Sequence, residues 1–566
     1  MGKITGAQAI VKCLQEEGVT TLFGYPGGAV LDLYDALMDS DIHNVLSRHE
    51  QGAVHAADGY SRTTGEVGVA VLTSGPGATN GVTGIATAYM DSIPLVVLTG
   101  QVPKHLIGND AFQEVDTVGI TRPCTKHNYL VGDKDEIVPV IREAFYLAKT
   151  GRPGPVLVDL PKDLVASLIE YPEKKDIRMQ SYQPTYEPHP RQIKKACKLI
   201  AEAQRPVLYV GGGVILSNGS KELTQLADKL QIPVTMTLMG LGAYPGTKPL
   251  SMGMLGMHGT YAANMAVAEC DLLIAVGARF DDRVTGKLDD FATGARIIHI
   301  DIDPTSISKN VKVDVPIVSD CKKALSAMNN LLDSDDSFDL EKEAAKHKPW
   351  RDKISEWSKE HPLTYKDKCT SIKPQFIIEK MEQLTEGKAI ITTEVGQNQM
   401  WAAQFYRFDE PRHFVTSGGL GTMGFGLPAA IGAQMAFPDK IVIDIAGDGS
   451  IQMNIQELAT ARQEGLPVKI AILNNGYLGM VRQWQELFYD KRYSSTVMNV
   501  VPDFVALAEA FGAVGLRATK PEEVEGVIRT ALETDNVVIM DFIIEPEEGV
   551  YPMVPAGKAN TEMLLV

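Results

Sequence analysis

Short unbroken apolar runs alternate along the chain with amphipathic stretches of helical spacing, and nearly every run ends in glycine, asparagine or aspartate. The run 67–72 stops at Thr73-Ser74-Gly75, 94–98 at Thr99-Gly100-Gln101, and 156–158 at Asp159. Further on, 207–210 stops at Gly211-Gly212-Gly213, 272–276 at Gly277-Ala278-Arg279, and 297–300 at Asp301. The last group is 389–393 before Glu394-Val395-Gly396, 441–446 before Gly447-Asp448-Gly449, and 468–473 before Asn474-Asn475. Apolar strands without alternation belong in parallel sheets covered on both faces. The expected fold is therefore α/β, with three doubly wound parallel-sheet domains, and ligands belong at the carboxyl ends of the strands.

Two stretches interrupt the alternation. Residues 171–190, YPEKKDIRMQSYQPTYEPHP, are Pro-rich and aperiodic and read as a linker; 333–368 are charged and Trp-containing and read as a partly helical connector. The units so divided are 1–170, 191–332 and 369–566, the last ending in an aperiodic tail from Glu545 that is a candidate cover for a site. At the N-terminus Ile4, Ala7, Val11 and Leu14 stand at helical spacing with polar residues between them, which predicts a first helix and not a signal peptide.

Bulk properties narrow the partners. A chain of 566 residues holds about three or four domains. A net charge of −17 speaks against nucleic acid and anionic membranes, so a phosphorylated ligand must be met locally by metal, helix N-termini or single arginines. No apolar run approaches the roughly 18 residues of a membrane span. The six cysteines, Cys13, Cys124, Cys197, Cys270, Cys321 and Cys369, are scattered without metal-ligand spacing, as expected of reduced thiols in a cytoplasmic protein.

The richest chemistry lies in 440–477, a strand, a crossover helix and a strand with a polar cluster past each strand. Right-handed crossovers lay such strands parallel, so Asp448 and Asn475 emerge at one sheet edge. A carboxylate and an amide oxygen are hard donors that suit Mg²⁺ while leaving positions for phosphate oxygens. Gly-Asp-Gly or Asn-Asn alone is a turn or a solvated loop; together at this spacing they read as a Mg²⁺-diphosphate clamp, with Gly447 and Gly449 flanking the aspartate. Gln397 and Asn398, after the strand 389–393, are placed to meet phosphate oxygens. Glu50, ahead of a helix expected over 53–60, reads either as a carboxylate favoured by the helix dipole or as an enclosed acid-base group.

The GDG…NN spacing resembles the signature of thiamine diphosphate enzymes, which adds the carbonyl of Tyr477 to the metal ligands. The stretches RHEQGAVHAADGYSRTTG, TSGPGATNGVTGIATAYMDSIPLVVLTGQV and IGNDAFQEVDTVGITRPCTKHN resemble the large catalytic subunit of biosynthetic acetohydroxyacid (acetolactate) synthases, and the likeness covers essentially the whole chain. It implies that Glu50 activates thiamine diphosphate through its pyrimidine ring, and that Gln113 approaches the reaction centre. Phe112 and Pro103 would line the access channel, Lys162 its mouth, and Met423 would wedge between the cofactor rings. The stretch GARFDDRVTG, which composition alone reads equally as solvated ion pairs, implies bound FAD. Its contacts would include Arg152, Gly212, Gly213, Thr237, Leu238, Leu255, His258, Gly277, Arg279 and Asp301. Arg283 would hold a substrate carboxylate, and Trp484 would narrow the second-substrate pocket to favour 2-ketobutyrate over pyruvate.

The implied reaction joins a two-carbon unit from pyruvate to a second 2-ketoacid, giving 2-acetolactate or 2-aceto-2-hydroxybutyrate on the way to valine, leucine and isoleucine. The implied assembly is a homodimer or homotetramer, with a small regulatory subunit. Two rivals stay open: a thiamine enzyme that uses FAD productively, such as a pyruvate oxidase, and a non-catalytic cofactor-binding protein.

Overall fold

The structure, a computed structural model, describes residues 2–335, 338–365 and 370–565. Cys369, expected as a free thiol and as the first residue of the third unit, lies outside them, with the end of the second connector. The five other cysteines are unpaired. No helix among the described residues is long and apolar enough to cross a membrane.

Three six-stranded sheets organise the chain, and all neighbouring strands within each are parallel. The first sheet runs His43–Leu46, Thr21–Tyr25, Gly68–Leu72, Leu95–Gln101, Pro155–Pro161, His127–Leu130. The third runs Phe414–Val415, Ile390–Thr393, Val442–Gly447, Lys469–Asn474, Val538–Ile543, Val514–Ala518. Counted in chain order, both have the arrangement 2-1-3-4-6-5. The central sheet differs: Ser251–Met254, Val234–Met236, Pro206–Val210, Leu272–Val276, Arg296–Asp301, Val315–Val318, or 3-2-1-4-5-6. That is the order of dinucleotide-binding sheets, whose crevice opens where the order reverses, between strands 1 and 4. Here those strands end at Gly211-Gly212-Gly213 and Gly277-Ala278-Arg279. In the outer sheets the reversal falls between strands 1 and 3, which in the third sheet end at Glu394 and Gly447-Asp448.

The first and third units share a core. Helix Glu50–Thr64 is buried on almost every side and lies against Gly426–Ala436, buried from Gly426 to Gln434. Small residues allow this: a Cβ on Gly59 would lie 2.6 Å from the Ala429 Cα, and one on Gly432 would lie 2.7 Å from the Tyr60 nitrogen. Phe23, Val54 and Leu72 continue through Phe425, Ile431 and Val442 in one apolar cluster.

Two segments depart from expectation, and the tail is fixed in place. The first helix begins at Gly6, not Ile4, because Thr5 and Gln8 form a reciprocal capping box that holds Thr5 extended. Ile4–Thr5 pairs instead with Leu168–Ile169. The stretch 171–190 is a strap rather than a free linker. Lys126 Nζ donates to the Tyr182 hydroxyl (2.8 Å), Tyr182 donates to the Thr150 carbonyl (2.7 Å), and the Gly151 N–H donates to the Tyr186 hydroxyl (2.8 Å). The tail is likewise tied down. Val550 N–H donates to Gln483 Oε1 (2.9 Å), Val554 N–H to the Met257 carbonyl (2.8 Å), and Lys287 N–H to the Lys558 carbonyl (3.0 Å).

Candidate active site

The strands Val442–Gly447 and Lys469–Asn474 are parallel neighbours, so the residues that follow them meet at one edge. Asp448 is 1% exposed, and its Oδ2 accepts the Gly476 N–H at 3.0 Å. Burial pushes its carboxyl up to about 7, against the pull of backbone N–H groups of the Asn475-Gly476 loop. Asn475 accepts the Tyr477 N–H at 3.1 Å. The loop is fixed by Leu478 N–H to Thr496 O and Met498 N–H to Gly476 O, both 2.9 Å, and among the described residues no backbone N–H donates to the Tyr477 carbonyl. The crossover between the strands is mostly short 3₁₀ turns, with an α-helix only at Leu458–Gln463. Asn454 interrupts it by reaching out to donate to the Gly424 carbonyl at 2.7 Å.

Gln397 and Asn398 stand at this edge; Gln397 Oε1 accepts from Asn475 Nδ2 at 3.4 Å, while their amide nitrogens turn inward. Gln397 Nε2 donates to Gln483 Oε1 (2.9 Å) and the Glu548 carbonyl (3.0 Å); Asn398 Nδ2 donates to the carbonyls of Glu394 (3.0 Å) and Ile445 (2.8 Å). What they offer a phosphate is the N-terminus of helix Gln397–Phe405, whose first backbone N–H groups have no helical partner. Met423 sits half-buried between Gly421 (φ 70) and Gly424 (φ 86), left-handed positions that turn the chain sharply on both sides of it.

Glu50 is the first residue of its helix, capped by His49, and is 9% exposed. Its Oε2 accepts from Asn80 Nδ2 at 3.0 Å, and a Cβ on Gly77 would lie 3.2 Å from its Oε1. Close by, a Cβ on Gly75 would come within 2.7 Å of the Gln113 carbonyl oxygen. Gln113 itself holds φ 62, a costly conformation for a side chain to adopt. Phe112 beside it is 88% exposed. Pro103 and Lys162 are neighbours through the Lys104 N–H, which donates to Asp163 at 2.8 Å. The first sheet thus gathers Glu50 and Gln113. Among the described residues no hydrogen bond or ion pair joins Glu50, Gly77 or Asn80 to Asp448, Asn475 or Tyr477.

A cavity of about 1170 Å³ opens at the reversal of the central sheet. Arg152, Gly212, Thr237, Leu238, Leu255, His258, Gly277 and Arg279 line it; Gly213 and Asp301 line an adjoining cavity of about 180 Å³ that shares Arg152, Gly212, Gly277 and Arg279. The glycines answer to packing as much as to a ligand, since a Cβ on Gly213 would lie 2.7 Å from the Gly277 Cα. His258 is buried, which holds its imidazole down to about 4, so it is neutral. Arg283 and Trp484 stand on the same wall system. The Arg283 side chain is 60% exposed, and its nearest carboxylate, Asp282, is 3.8 Å away and itself solvated. Trp484 packs edge to face on Phe488 at 6.0 Å.

Comparison with known proteins identifies the lineage. Three family profiles match in order: "Thiamine pyrophosphate enzyme, N-terminal TPP binding domain" over 4–120, the central domain over 193–328, and the "C-terminal TPP binding domain" over 394–542. The acetolactate synthase large subunit of Haemophilus influenzae is 50% identical over 572 residues, covering 100% of this chain and 99% of that one. The chain belongs to the acetolactate synthase large-subunit family. The isozyme 3 large subunit of Escherichia coli is 51% identical, again over 100% and 99%. The probable acetolactate synthase large subunit of Methanocaldococcus jannaschii is 51% identical over 99% and 95%. This member of the acetolactate synthase family is therefore an enzyme dependent on thiamine diphosphate, as the sequence implied.

The residues fit the groups that the acetolactate synthase family implies. A buried Asp448 without a cationic partner among the described residues is the kind of carboxylate that a divalent ion relieves. Among the described residues no three His, Cys, Asp or Glu cluster for a metal, so an ion here would take one carboxylate, the Asn475 amide oxygen and the Tyr477 carbonyl. The central cavity is at the upper end of ligand-pocket sizes, as a dinucleotide needs. Sequence reasoning missed 181–185, which form part of its wall. The available signal was the trio Tyr171, Tyr182 and Tyr186 in an otherwise polar stretch. It also missed Asp91 and Glu394, whose backbone donors lie 327 and 328 positions away in the first case and 30 and 33 in the second.

Proposed function

We propose that the chain decarboxylates pyruvate and joins the two-carbon remainder to a second 2-ketoacid, with Mg²⁺ and FAD bound beside thiamine diphosphate. Products are 2-acetolactate from pyruvate alone and 2-aceto-2-hydroxybutyrate when 2-ketobutyrate accepts, as branched-chain amino-acid synthesis requires. The observation that carries the reading is Arg283, a largely exposed guanidinium whose one carboxylate contact among the described residues is the solvated Asp282 at 3.8 Å, on a cavity wall that also bears Trp484. It can take an acceptor's carboxylate in a two-pronged hydrogen bond.

Thiamine diphosphate, when bound, supplies an acidic carbon that adds to the ketoacid carbonyl and receives the electron pair left by departing CO₂. The protein's part is to bind, orient and exclude water. Asp448, Asn475 and the Tyr477 carbonyl would hold the Mg²⁺, and the amides at the start of Gln397–Phe405 would meet the phosphates. Glu50, shielded from solvent, would hydrogen-bond the pyrimidine ring and set its proton. Met423 would support the bent cofactor, Gln113 would face the reacting atoms, and Trp484 would bound the acceptor's alkyl group. Phe112, Pro103 and Lys162 would border the approach, and the ten residues of the two central cavities would hold FAD.

The separation of Glu50 from Asp448 in the hydrogen-bond network supports a dimer in which each site takes its two halves from two copies of this chain; a tetramer keeps that arrangement. Relatives named as large subunits support a small regulatory partner.

The test is product identification by mass spectrometry after incubation with pyruvate, Mg²⁺, thiamine diphosphate, FAD and inorganic phosphate, with and without 2-ketobutyrate. Acetolactate alone, then predominantly the six-carbon product when 2-ketobutyrate is added, is expected. Acetyl phosphate with flavin reduction, or no pyruvate consumption, overturns the reading.

A further inference from the structure

The turn 417–424, which ends in Met423 and Gly424, is held from its own unit by Glu394, Gln399 and Asn454 and from the first unit by Asp91 and Thr87. Asp91, the last residue of helix Val82–Asp91, has a fully buried carboxylate. Its Oδ2 accepts the Gly418 N–H (3.0 Å) and its Oδ1 the Gly419 N–H (2.7 Å). Arg62 Nη2 donates to the same carboxylate at 3.0 Å, Nη1 donates to the Thr416 carbonyl at 2.8 Å, and Nε donates to Asp58. The guanidinium also lies 5.1 Å from the centre of the Phe425 ring, just past the turn. One helical turn before Asp91, the Thr87 hydroxyl meets that of Thr422 at 2.7 Å, next to Met423 itself. The fit at the carboxylate is close, because a Cβ on Gly419 would lie 3.0 Å from Asp91 Oδ1.

From this geometry we propose that Asp91, oriented by Arg62 and assisted by Thr87, is a positioning residue that fixes the Met423 turn for thiamine diphosphate. The inference rests on the reading above that Met423 supports the cofactor. The first unit of a chain then acts on its own chain's diphosphate half, through a contact separate from Glu50. Arg62 and Glu50 stand on one helix, so a single rigid element orders both. Two backbone donors and one guanidinium converge on two carboxylate oxygens, and an asparagine cannot satisfy all three. One end of its amide must turn N–H toward another N–H. Losing a charge-assisted bond of this kind weakens what it positions by roughly tenfold to a hundredfold.

The test is a double-mutant cycle in the full-length chain, with Asp91→Asn, Met423→Ala and the pair. The readouts are the Kd of thiamine diphosphate by calorimetry in Mg²⁺, the circular dichroism of the bound cofactor, and the KM and kcat for pyruvate. Asp91→Asn is expected to raise the cofactor Kd by about tenfold or more and lower kcat. It should leave the pyruvate KM within about twofold, and its effect on Kd should largely vanish in the Met423→Ala background. Thr87→Val, which removes only the hydroxyl contact, should show the same non-additivity in smaller measure, and it decides the question if Asp91→Asn does not fold. An additive effect, with Met423→Ala itself weakening the cofactor, overturns the positioning role alone. Unchanged cofactor Kd and dichroism in Met423→Ala overturns this inference together with the assignment of Met423.

Discussion

Gly432→Ala is a one-carbon change at the closest approach of the two helices that join the first and third units. The new Cβ would fall on the Ala56 carbonyl oxygen, 2.9 Å from the Ala56 carbonyl carbon and 2.7 Å from the Tyr60 nitrogen. Ordinary contact begins at 3.4 Å, so the deficit is about 0.7 Å at the nitrogen and larger at the oxygen. All three atoms are backbone of a buried helix, so no side chain can swing aside. Separating packed surfaces by 0.5–1 Å forfeits about a quarter to a half of each contact's attraction, and overpacking a core costs about 1–3 kcal/mol. Alanine returns about 1 kcal/mol through helix propensity, leaving a net loss of up to roughly 2 kcal/mol and a fall of up to a few degrees in apparent melting temperature. Gly526→Ala is the control. That glycine is exposed in helix Pro521–Glu533, with nothing within 4 Å of its Cβ, so only the propensity gain of about 1 kcal/mol applies. Differential scanning fluorimetry of the two variants beside the parent should give shifts of opposite sign. A Gly432→Ala protein as stable as Gly526→Ala refutes the close-packing argument.

Asp448→Ala should weaken thiamine diphosphate and Mg²⁺ binding together by at least about tenfold, and calorimetric affinities that both stay unchanged would remove the clamp. Arg283→Lys keeps the charge but loses the planar fork, so steady-state kinetics should show kcat/KM for the acceptor down by about tenfold or more with cofactor affinity retained; a parallel loss of cofactor would reassign it. Trp484→Leu should still form acetolactate while losing most of its preference for 2-ketobutyrate, a difference of about 1–3 kcal/mol in competition assays. Asp159 is buried beneath the first sheet's edge, where it accepts from Thr99 and Gln101, and burial pushes its carboxyl from 3.8 up to about 7. Its folded form holds a proton that the unfolded chain has released. Its contribution to stability is thus fullest below pH 3.8 and is lost as pH rises toward 7, at a slope of up to ~1.4 kcal/mol per pH unit. Asp159→Asn should flatten that decline in melting temperature against pH, and an unaltered profile would show that Asp159 ionises normally.

The parts of the fold read most directly from sequence are the strand ends. An apolar run buried on both faces must stop where polar residues begin, and doubly wound topology puts every such stop at the same edge. Asp448 with Asn475, and Gly211–Gly213 with Gly277, come together for that reason. Direction of a side chain was less legible. Gln397 and Asn398 are at the expected edge, and their amide nitrogens are taken up by Gln483 and by the carbonyls of Glu548, Glu394 and Ile445, while Gln397 Oε1 still meets Asn475. The strap 171–190 and the tail from Glu545 carry no period because each folds on a surface supplied by other units. Asp91 was invisible for a related reason: its ion-pair partner is 29 positions away and its backbone donors 327 and 328. Nothing local marks a carboxylate whose partners are amides.

The shared core of the first and third units also has a consequence during synthesis. Helix Glu50–Thr64 is made early, but the helix that covers its outer face, Gly426–Ala436, leaves the ribosome more than three hundred and fifty residues later. At about 5–20 residues per second that interval is roughly 20–75 s. Through it the nascent chain carries, without its final cover, the face of Ala56, Gly59 and Tyr60 on which Gly426–Ala436 later packs. Final docking of the first unit is therefore a late event, and the demand on chaperones falls on its N-terminal third while the C-terminal third is still being made.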